Sequence, residues 1–316
     1  MKGALGMGLG AYAPVMVTVT LWSFQIPALH HLGMRWDPAT LNVLRYIIAA
    51  AAFLAIAAMA RRSPAGPTQP PLGPLRGLGL GALFAGFGLL FTVATTIGDP
   101  IMVVTAAALM PLTASLVNWV VLGTPPSMPL VAALFLVVPG AALTTPAGPA
   151  LEGDAAGWPV AGLLLILLAQ AVWSLYSLSV QRWLEGHSNL ARTRLSVLWS
   201  IPYHALVFVL AAGLGLLRAD AEVAPMTDGI LIVAITLGPL VLGVMLWNLS
   251  VTRIGLPVSA LFLNLVPVLG VGVATLFGST PDGWQLLGVA LVILGMGAAQ
   301  YRRRDVTEGR PTVPRA

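Results

Sequence analysis

The chain has 316 residues, of which 58% are hydrophobic and only 9% charged, and its mean hydropathy is +0.90. A water-soluble fold of this length cannot bury so much apolar surface, whereas a bilayer accommodates it as helices of about 20 residues each. The composition therefore argues against a soluble enzyme. The sequence contains no cysteine, which excludes disulfides, thiol catalysis and cysteine-based metal sites.

Long apolar runs alternate with short loops along the chain, and clusters of Pro and Gly mark several of the turns. Because lipid offers no hydrogen-bonding partners, the backbone of each run must form its hydrogen bonds internally, as a helix does. The sequence therefore predicts an all-α integral membrane protein with ten transmembrane helices. We place them at residues 11–31, 39–60, 76–97, 100–122, 127–145, 158–181, 194–217, 229–250, 257–277 and 283–301.

The charged residues are segregated in this ten-span layout. The two termini and the even-numbered loops share one side of the membrane, and this side carries 13 of the 16 basic residues. Eight of the 11 acidic residues lie on the other side. The positive-inside rule then places both termini in the cytoplasm, with the chain in the cell (inner or plasma) membrane. The 13 basic residues are Lys2, Arg61, Arg62, Arg76, Arg182, Arg192, Arg194, Arg253, Arg302, Arg303, Arg304, Arg310 and Arg315.

The basic pI near 10.2 follows from the same bias, so no nucleic-acid partner is expected. Residues 302–316 are predicted to form a basic cytoplasmic tail. Such a tail can contact the anionic headgroups of membrane lipids.

The two halves of the chain, residues 11–145 and 158–301, form a weak internal repeat. Trp22-Ser23 in the first span corresponds to Trp173-Ser174 in the sixth. Because each half holds five spans, an odd number, the two halves must lie in opposite orientations in the membrane. Inverted repeats are a design of transporters, although a duplication without transport would also account for them.

At these residues the chain resembles the drug/metabolite transporter (DMT) superfamily, in its ten-helix EamA-type branch. The resemblance extends over residues 11–301 and rests on the order and spacing of several short motifs. It implies transport of small organic solutes, such as amino acids, metabolites or drugs, usually outward. The motifs are Trp22-Ser23 with Pro27, Arg45, the small residues before Pro111, Trp173-Ser174, Leu246-Trp247-Asn248, Asn264-Leu265-Val266-Pro267 and Gln285-Leu286-Leu287-Gly288.

One departure from the family pattern concerns the ends of the fourth and ninth spans. Members often carry Leu-Gly-Glu there, whereas this chain reads Leu122-Gly123-Thr124 and Phe277-Gly278-Ser279. Both glutamates are missing, so a role in gating that they have elsewhere cannot be transferred to Thr124 and Ser279.

Ionisable side chains well inside the predicted spans are few, which makes them candidates for function. Arg45 could bind a substrate carboxylate, pair with Asp37 or Asp99, or extend to the membrane interface. His204 could bind a proton or a substrate anion, or rest as a neutral ring bonded to a neighbouring backbone. No Asp or Glu lies deep in a span, so proton coupling would depend on His204.

Polar and aromatic side chains recur at helical spacing on several predicted spans. They either line a cavity or form interhelical hydrogen bonds that hold the bundle together. The fifth and tenth spans are the least polar in their cores, so the other eight are expected to surround the pathway. The cavity candidates are Trp22, Gln25, Arg45, Trp173, Ser174, Tyr176, His204, Trp247, Asn248 and Asn264.

Proline and glycine predict local helix geometry. Gly77-x-x-x-Gly81 is expected to let two helices approach closely. Intramembrane prolines are expected to bend their helices and to free backbone carbonyls. These prolines are Pro27, Pro111, Pro139, Pro202, Pro239 and Pro267.

Together these features predict a secondary transporter, not an enzyme, that moves small organic solutes by alternating access. The resemblance implies that the direction is export. A passive channel and an intramembrane enzyme are the alternatives, although no acid–acid, Ser–His or HExxH set is evident. No cofactor or metal is expected. The expected partners are the solute and membrane lipids, with protons added if transport is proton-coupled rather than facilitated diffusion or exchange. The chain would act as a monomer or homodimer.

Overall fold

A computed structural model of the chain describes residues 9–60, 71–144, 158–218, 226–254, 259 and 262–308. All regular structure in these ranges is helical. The predicted tail is helical as far as Glu308, and its remaining residues lie outside the described ranges. Residues 61–70, 145–157 and 255–258 also lie outside them.

The described part of the chain contains twelve α-helices, a short 3-10 helix, Leu9–Ala11, and one π-helical segment, Thr236–Gly243. The first six α-helices fall within the first predicted half and the other six begin within the second, the last of them extending into the predicted tail. In chain order the α-helices are α1 Ala13–Gly33, α2 Pro38–Ala60, α3 Pro74–Ile97, α4 Pro100–Ala107, α5 Met110–Leu122, α6 Met128–Leu143, α7 Trp158–Trp183, α8 Asn189–Gly213, α9 Met226–Ile235, α10 Val244–Ile254, α11 Leu265–Leu276 and α12 Gly283–Glu308.

Five helical stretches of the described residues are long and apolar enough to cross a membrane, and a sixth results if the bent pair α4–α5 is one span. The outward faces of the described helices are apolar, with side chains such as Val120 of α5 and Phe135 of α6 almost fully exposed. An exterior of this kind suits contact with lipid rather than water. The predicted layout of ten spans in two repeats goes beyond this count and stays a prediction. The five stretches are Pro38–Met59, Pro74–Ile97, Ala161–Trp183, Asn189–Gly213 and Met226–Ile254.

Two of the stretches predicted as continuous spans are interrupted near a proline. The axes of α4 and α5 meet at 53°, and Pro111 lies in the first turn of α5. Pro239 lies in the π-helical segment between α9 and α10. Proline removes a backbone hydrogen bond and collides with the preceding turn, which explains both breaks.

The remaining intramembrane prolines lie inside helices or at the start of one, and the bends expected at them stay predictions. Pro27, Pro139 and Pro202 lie inside continuous helices, where the loss of one backbone hydrogen bond is tolerated. Pro267 lies in the first turn of α11, where a missing N–H leaves no gap in the helix.

The predicted close helix approach at Gly77 and Gly81 is present. Both glycines of α3 pack against Trp199 of α8, and a Cβ at either position would collide with that residue. A separate pair, α6 and α12, packs face to face through Gly140 and Gly288. The largest buried apolar cluster instead joins α1, α2, α3, α7 and α10, and the candidate site lies within it.

Candidate functional site

A central cavity of about 90 Å³ lies between helices of both predicted halves of the chain. Ligand sites more often enclose several hundred Å³, so in this conformation the cavity suits a small solute. Four of the residues selected from the sequence line it, one from α7, one from α2 and two from α1. They are Trp22, Gln25, Arg45 and Trp173.

Aromatic rings form much of the cavity wall. The ring centroid of Trp173 lies 4.6 Å from that of Phe87 and 6.1 Å from that of Trp22, with the two indoles edge to face. Trp22 also lies 5.3 Å from Trp247. The indole N–H of Trp22 donates to the backbone carbonyl of Pro239 at 3.2 Å, which fixes the ring against the π-helical segment.

The neighbours Phe87 and Phe91 of α3 were not selected from the sequence, although both line the cavity. They lie four residues apart on one helical face, with ring centroids 5.4 Å apart. That spacing was visible in the sequence. An apolar pair of this kind is equally typical of a lipid-facing surface, which is why the pattern alone does not single it out.

Arg45 is buried, with 2% of its surface exposed. Its Nη1 donates to the hydroxyl of Thr92 at 3.2 Å, and that hydroxyl donates to Asn42 Oδ1 at 3.0 Å. Its Nε has no hydrogen-bond partner among the described residues, and no described carboxylate forms an ion pair with it. Arg45 therefore lies inside the protein rather than at the membrane interface.

The two carboxylates suggested as partners for Arg45 have other roles. Asp37 accepts from the backbone N–H of Thr40 at 2.8 Å and from its hydroxyl at 2.7 Å, at the start of α2. Asp99 is the N-cap of α4 and accepts from the N–H groups of Ile101 and Met102. Burial raises the pKa of the Asp99 carboxyl in spite of these bonds. The structure thus does not show the pairing with Asp37 or Asp99 that was one interpretation of Arg45, because both side chains cap helices.

Gln170 of α7 lines the cavity and ties α7 to the break between α4 and α5. Its amide N–H donates to the carbonyl of Ala106 at 2.7 Å, and its carbonyl accepts from Thr113 at 3.2 Å. Both partners lie beside the bend. The side chain satisfies a carbonyl next to the break in the helix, as buried backbone groups require.

His204 is buried beside the cavity but is not part of its lining. Its ring centroid lies 3.7 Å from that of Tyr46, which does line the cavity. Neither ring nitrogen has a hydrogen-bond partner among the described residues. The structure thus does not show the backbone hydrogen bond that was one interpretation of this histidine.

A second cavity, of about 220 Å³, lies on the other side of Trp173. Three further residues selected from the sequence line it, namely Tyr176, Trp247 and Asn248. Asn248 donates to Thr193 at 3.0 Å, and Tyr176 donates to Ser196 at 2.9 Å. Both hydrogen bonds join neighbouring helices, so these polar groups hold the bundle as well as line a space.

The last two selected residues line neither cavity. Ser174 is buried and donates to the carbonyl of Gln170 in its own helix at 2.9 Å. Asn264 is half-buried and immediately precedes α11.

An ion pair closes the end of the bundle at which α1 and α9 meet; we call it the Arg35 end. Arg35 Nη2 donates to Asp228 Oδ1 at 2.6 Å, and Arg35 Nε and the Trp36 indole N–H each donate to Oδ2 at 2.9 Å. Arg218 donates to the carbonyls of Gly33 and Met34. The sequence did not predict this pairing, because its members lie almost 200 residues apart.

The apolar helices, the lipid-suited exterior and the internal cavity define a multi-pass membrane protein. Residues 10–145 match the model of the EamA-like transporter family. The match confirms the resemblance to the DMT superfamily over these residues.

One crystal structure of a protein is similar over nearly the whole chain. The similarity covers 94% of this chain and 98% of the other, with a TM-score of 0.62 and 22% sequence identity. At this identity the likeness shows a shared fold, which therefore includes the second half as well as the first. No curated protein matches the chain.

Proposed function

We propose that the protein is a secondary transporter that exports small organic solutes by alternating access. In this proposal ten spans form two inverted five-helix repeats, residues 11–145 and 158–301. The protein lies in the cell (inner or plasma) membrane with both termini in the cytoplasm. The match of residues 10–145 to the EamA-like transporter family supports the class of function.

The observation that carries the proposal is a cavity lined from both halves of the chain. α1, α2, α3 and α5 contribute from the first half, and α7 and the π-helical segment from the second. Trp22 and Trp173, which occupy equivalent positions in the proposed repeat, meet edge to face at its wall. A binding site at the interface of two repeats is the arrangement that inverted-repeat carriers use.

The two ends of the cavity differ in a way that suits a carrier. The ion pair at the Arg35 end joins the α1–α2 connection to α9, while the second cavity extends on the other side of Trp173. We infer a conformation that is closed at the Arg35 end and closer to opening at the opposite end. The charge distribution assigns the Arg35 end to the outer face of the membrane.

Transport into proteoliposomes tests the proposal. A library of labelled amino acids, metabolites and drug-like solutes is assayed with and without a pH gradient. We expect saturable uptake of a restricted set of solutes that is lost in protein-free liposomes. Non-saturable conductance would favour the channel, and conversion of a solute into product would favour the enzyme.

Reporter fusions test the proposed topology. Fusions after Gly66 and after Arg304 are expected to report the cytoplasm, and a fusion after Gly153 the outside, because 13 basic residues favour this orientation. A cytoplasmic signal at Gly153 would rule out the ten-span layout and the inverted repeat with it.

A further inference from the structure

The central cavity contains a positive charge for which the described residues offer no negative partner. Arg45 is 2% exposed, lines the cavity and leaves its Nε without a hydrogen-bond partner. A guanidinium stays protonated in proteins, so the charge cannot be removed by loss of a proton. A buried charge is costly unless it is paired and hydrogen-bonded.

The chain's own carboxylates do not supply this partner within the described part of the structure. Asp228 is paired with Arg35, and Asp37 and Asp99 cap helices. The polar side chains that share the lining with Arg45, Gln25 and Gln170, are neutral amides. The Thr92 hydroxyl supplies a single dipole to Nη1. Among the described residues, the cavity therefore holds no counter-charge for Arg45.

The rest of the wall defines the shape of a molecule that fits the cavity. Trp22, Phe87, Phe91 and Trp173 surround the space with ring faces and edges, and apolar side chains such as Ile166 complete it. Such walls favour an apolar or aromatic body. One guanidinium neutralises one negative charge, so a carboxylate fits this site better than a phosphate dianion, which would bring a second, uncompensated charge into a low-dielectric space.

We propose that the cavity binds a small monocarboxylate with an apolar or aromatic body, with its carboxylate paired with Arg45 and its body between Trp22, Phe87 and Trp173. The inference names a substrate class for the proposed function. It depends on that function only for the claim that the bound molecule is also transported. Binding itself is a property of the cavity and is measured separately.

Acid–amide pairs of matched shape test the charge requirement on the purified full-length protein. The probes are benzoate with benzamide, isovalerate with isovaleramide and 3-phenylpropanoate with 3-phenylpropanamide, and binding is followed by quenching of tryptophan fluorescence. We expect at least one acid to bind about tenfold or more tightly than its amide, the scale of a charged hydrogen bond. If no acid of the panel outbinds its amide, the proposal is overturned.

Variants then assign the preference to Arg45. Arg45→Gln is expected to abolish the difference between acid and amide, and Arg45→Lys to retain part of it. Arg76→Gln, which removes an exposed arginine at the start of α3, is the control and should preserve the full difference. An acid preference that persists in Arg45→Gln would place the anion elsewhere and overturn the assignment.

Thermal unfolding separates a binding role from a structural one. Removing an unpaired buried charge should leave the melting temperature of the ligand-free protein unchanged or raise it, while the stabilisation by the acid is lost. A clear fall in the melting temperature of Arg45→Gln without ligand would show a structural arginine and contradict the proposal. Binding of acids without any flux would support this inference and contradict the proposed transport function. Flux of neutral solutes alone would support transport and contradict the carboxylate site.

Discussion

Two arginines, ten residues apart in the chain, lie in opposite electrostatic settings. At the Arg35 end, Arg35 is 43% exposed and pairs with Asp228 at 2.6 Å, and Trp36 donates to the same carboxylate. In the central cavity, Arg45 is almost fully buried and donates only to a neutral hydroxyl among the described residues. The paired arginine is therefore partly exposed, and the unpaired arginine is buried inside the protein.

The two settings suit two different roles, one structural and one in ligand binding. The pair at the Arg35 end has its partners within the chain, so it holds the α1–α2 connection against the start of α9. The arginine in the cavity lacks such a partner, so its electrostatic energy improves only when an anion arrives. The first arrangement is suited to closing one end of the protein, and the second to recognising a solute.

The largest effect on stability is expected from a substitution in the aromatic wall of the cavity that contains Arg45. Trp173→Ala removes a buried indole that contacts Trp22, Phe87 and Tyr176, and should lower the free energy of unfolding by about 3–5 kcal/mol. Thermal unfolding in detergent measures it. Trp119→Ala, at a 52% exposed position, is the control. An equal loss of stability there would show that the cavity wall contributes no more to the free energy of unfolding than an exposed tryptophan does.

The contrast between the paired and the unpaired arginine is measured by double-mutant cycles. Arg35→Gln with Asp228→Asn should give a coupling energy of up to about 1 kcal/mol, since Arg35 is partly exposed and solvent screens the pair. Arg45→Gln with Asp37→Asn should give a coupling near zero, because Asp37 bonds to Thr40 instead. Similar coupling energies in both cycles would contradict the claim that Arg35 is paired with a carboxylate and Arg45 is not.

His204, close to the unpaired Arg45, allows proton coupling of the cavity to be tested. It stacks on Tyr46, next in sequence to Arg45, and its ring nitrogens have no described hydrogen-bond partner. We expect His204→Gln to abolish any response of solute flux to a pH gradient while solute exchange continues. Gradient-driven flux that survives this substitution would place the proton path elsewhere, and a native protein that ignores pH gradients would show a structural histidine.

The smallest effect is expected at Asp99, near the connection between α3 and α4. Because burial raises the pKa of this carboxyl, its contribution to stability is complete in acid and is lost as the pH rises through the folded-state pKa. Asp99→Asn keeps an N-cap acceptor without the charge. The variant should match the native protein in acid and be slightly more stable at neutral pH. Greater stability of the native protein at neutral pH would contradict this sign.

The sequence predicted the helical, membrane-spanning character of the chain because apolar runs of this length have few other folds. It also selected Trp22, Trp173 and Arg45, since aromatic and charged residues in spans are conspicuous. It could not predict that Asp228 binds Arg35, because nothing in a local pattern links residues so distant. It left open a pairing of Arg45 with Asp99, whereas the local Asp–Pro sequence at the start of α4 makes this carboxylate a helix cap.

The labelling of one cavity residue from each side of the membrane tests the central claim most directly. The native chain lacks cysteine, so Gln25→Cys, in the cavity lining, gives a unique site for a membrane-impermeant thiol reagent. The account predicts faster labelling from the side opposite the Arg35 end. Adding Asp228→Asn should slow labelling from that side and accelerate it from the Arg35 end. Rates that stay unchanged, or that rise together on both sides, would contradict alternating access.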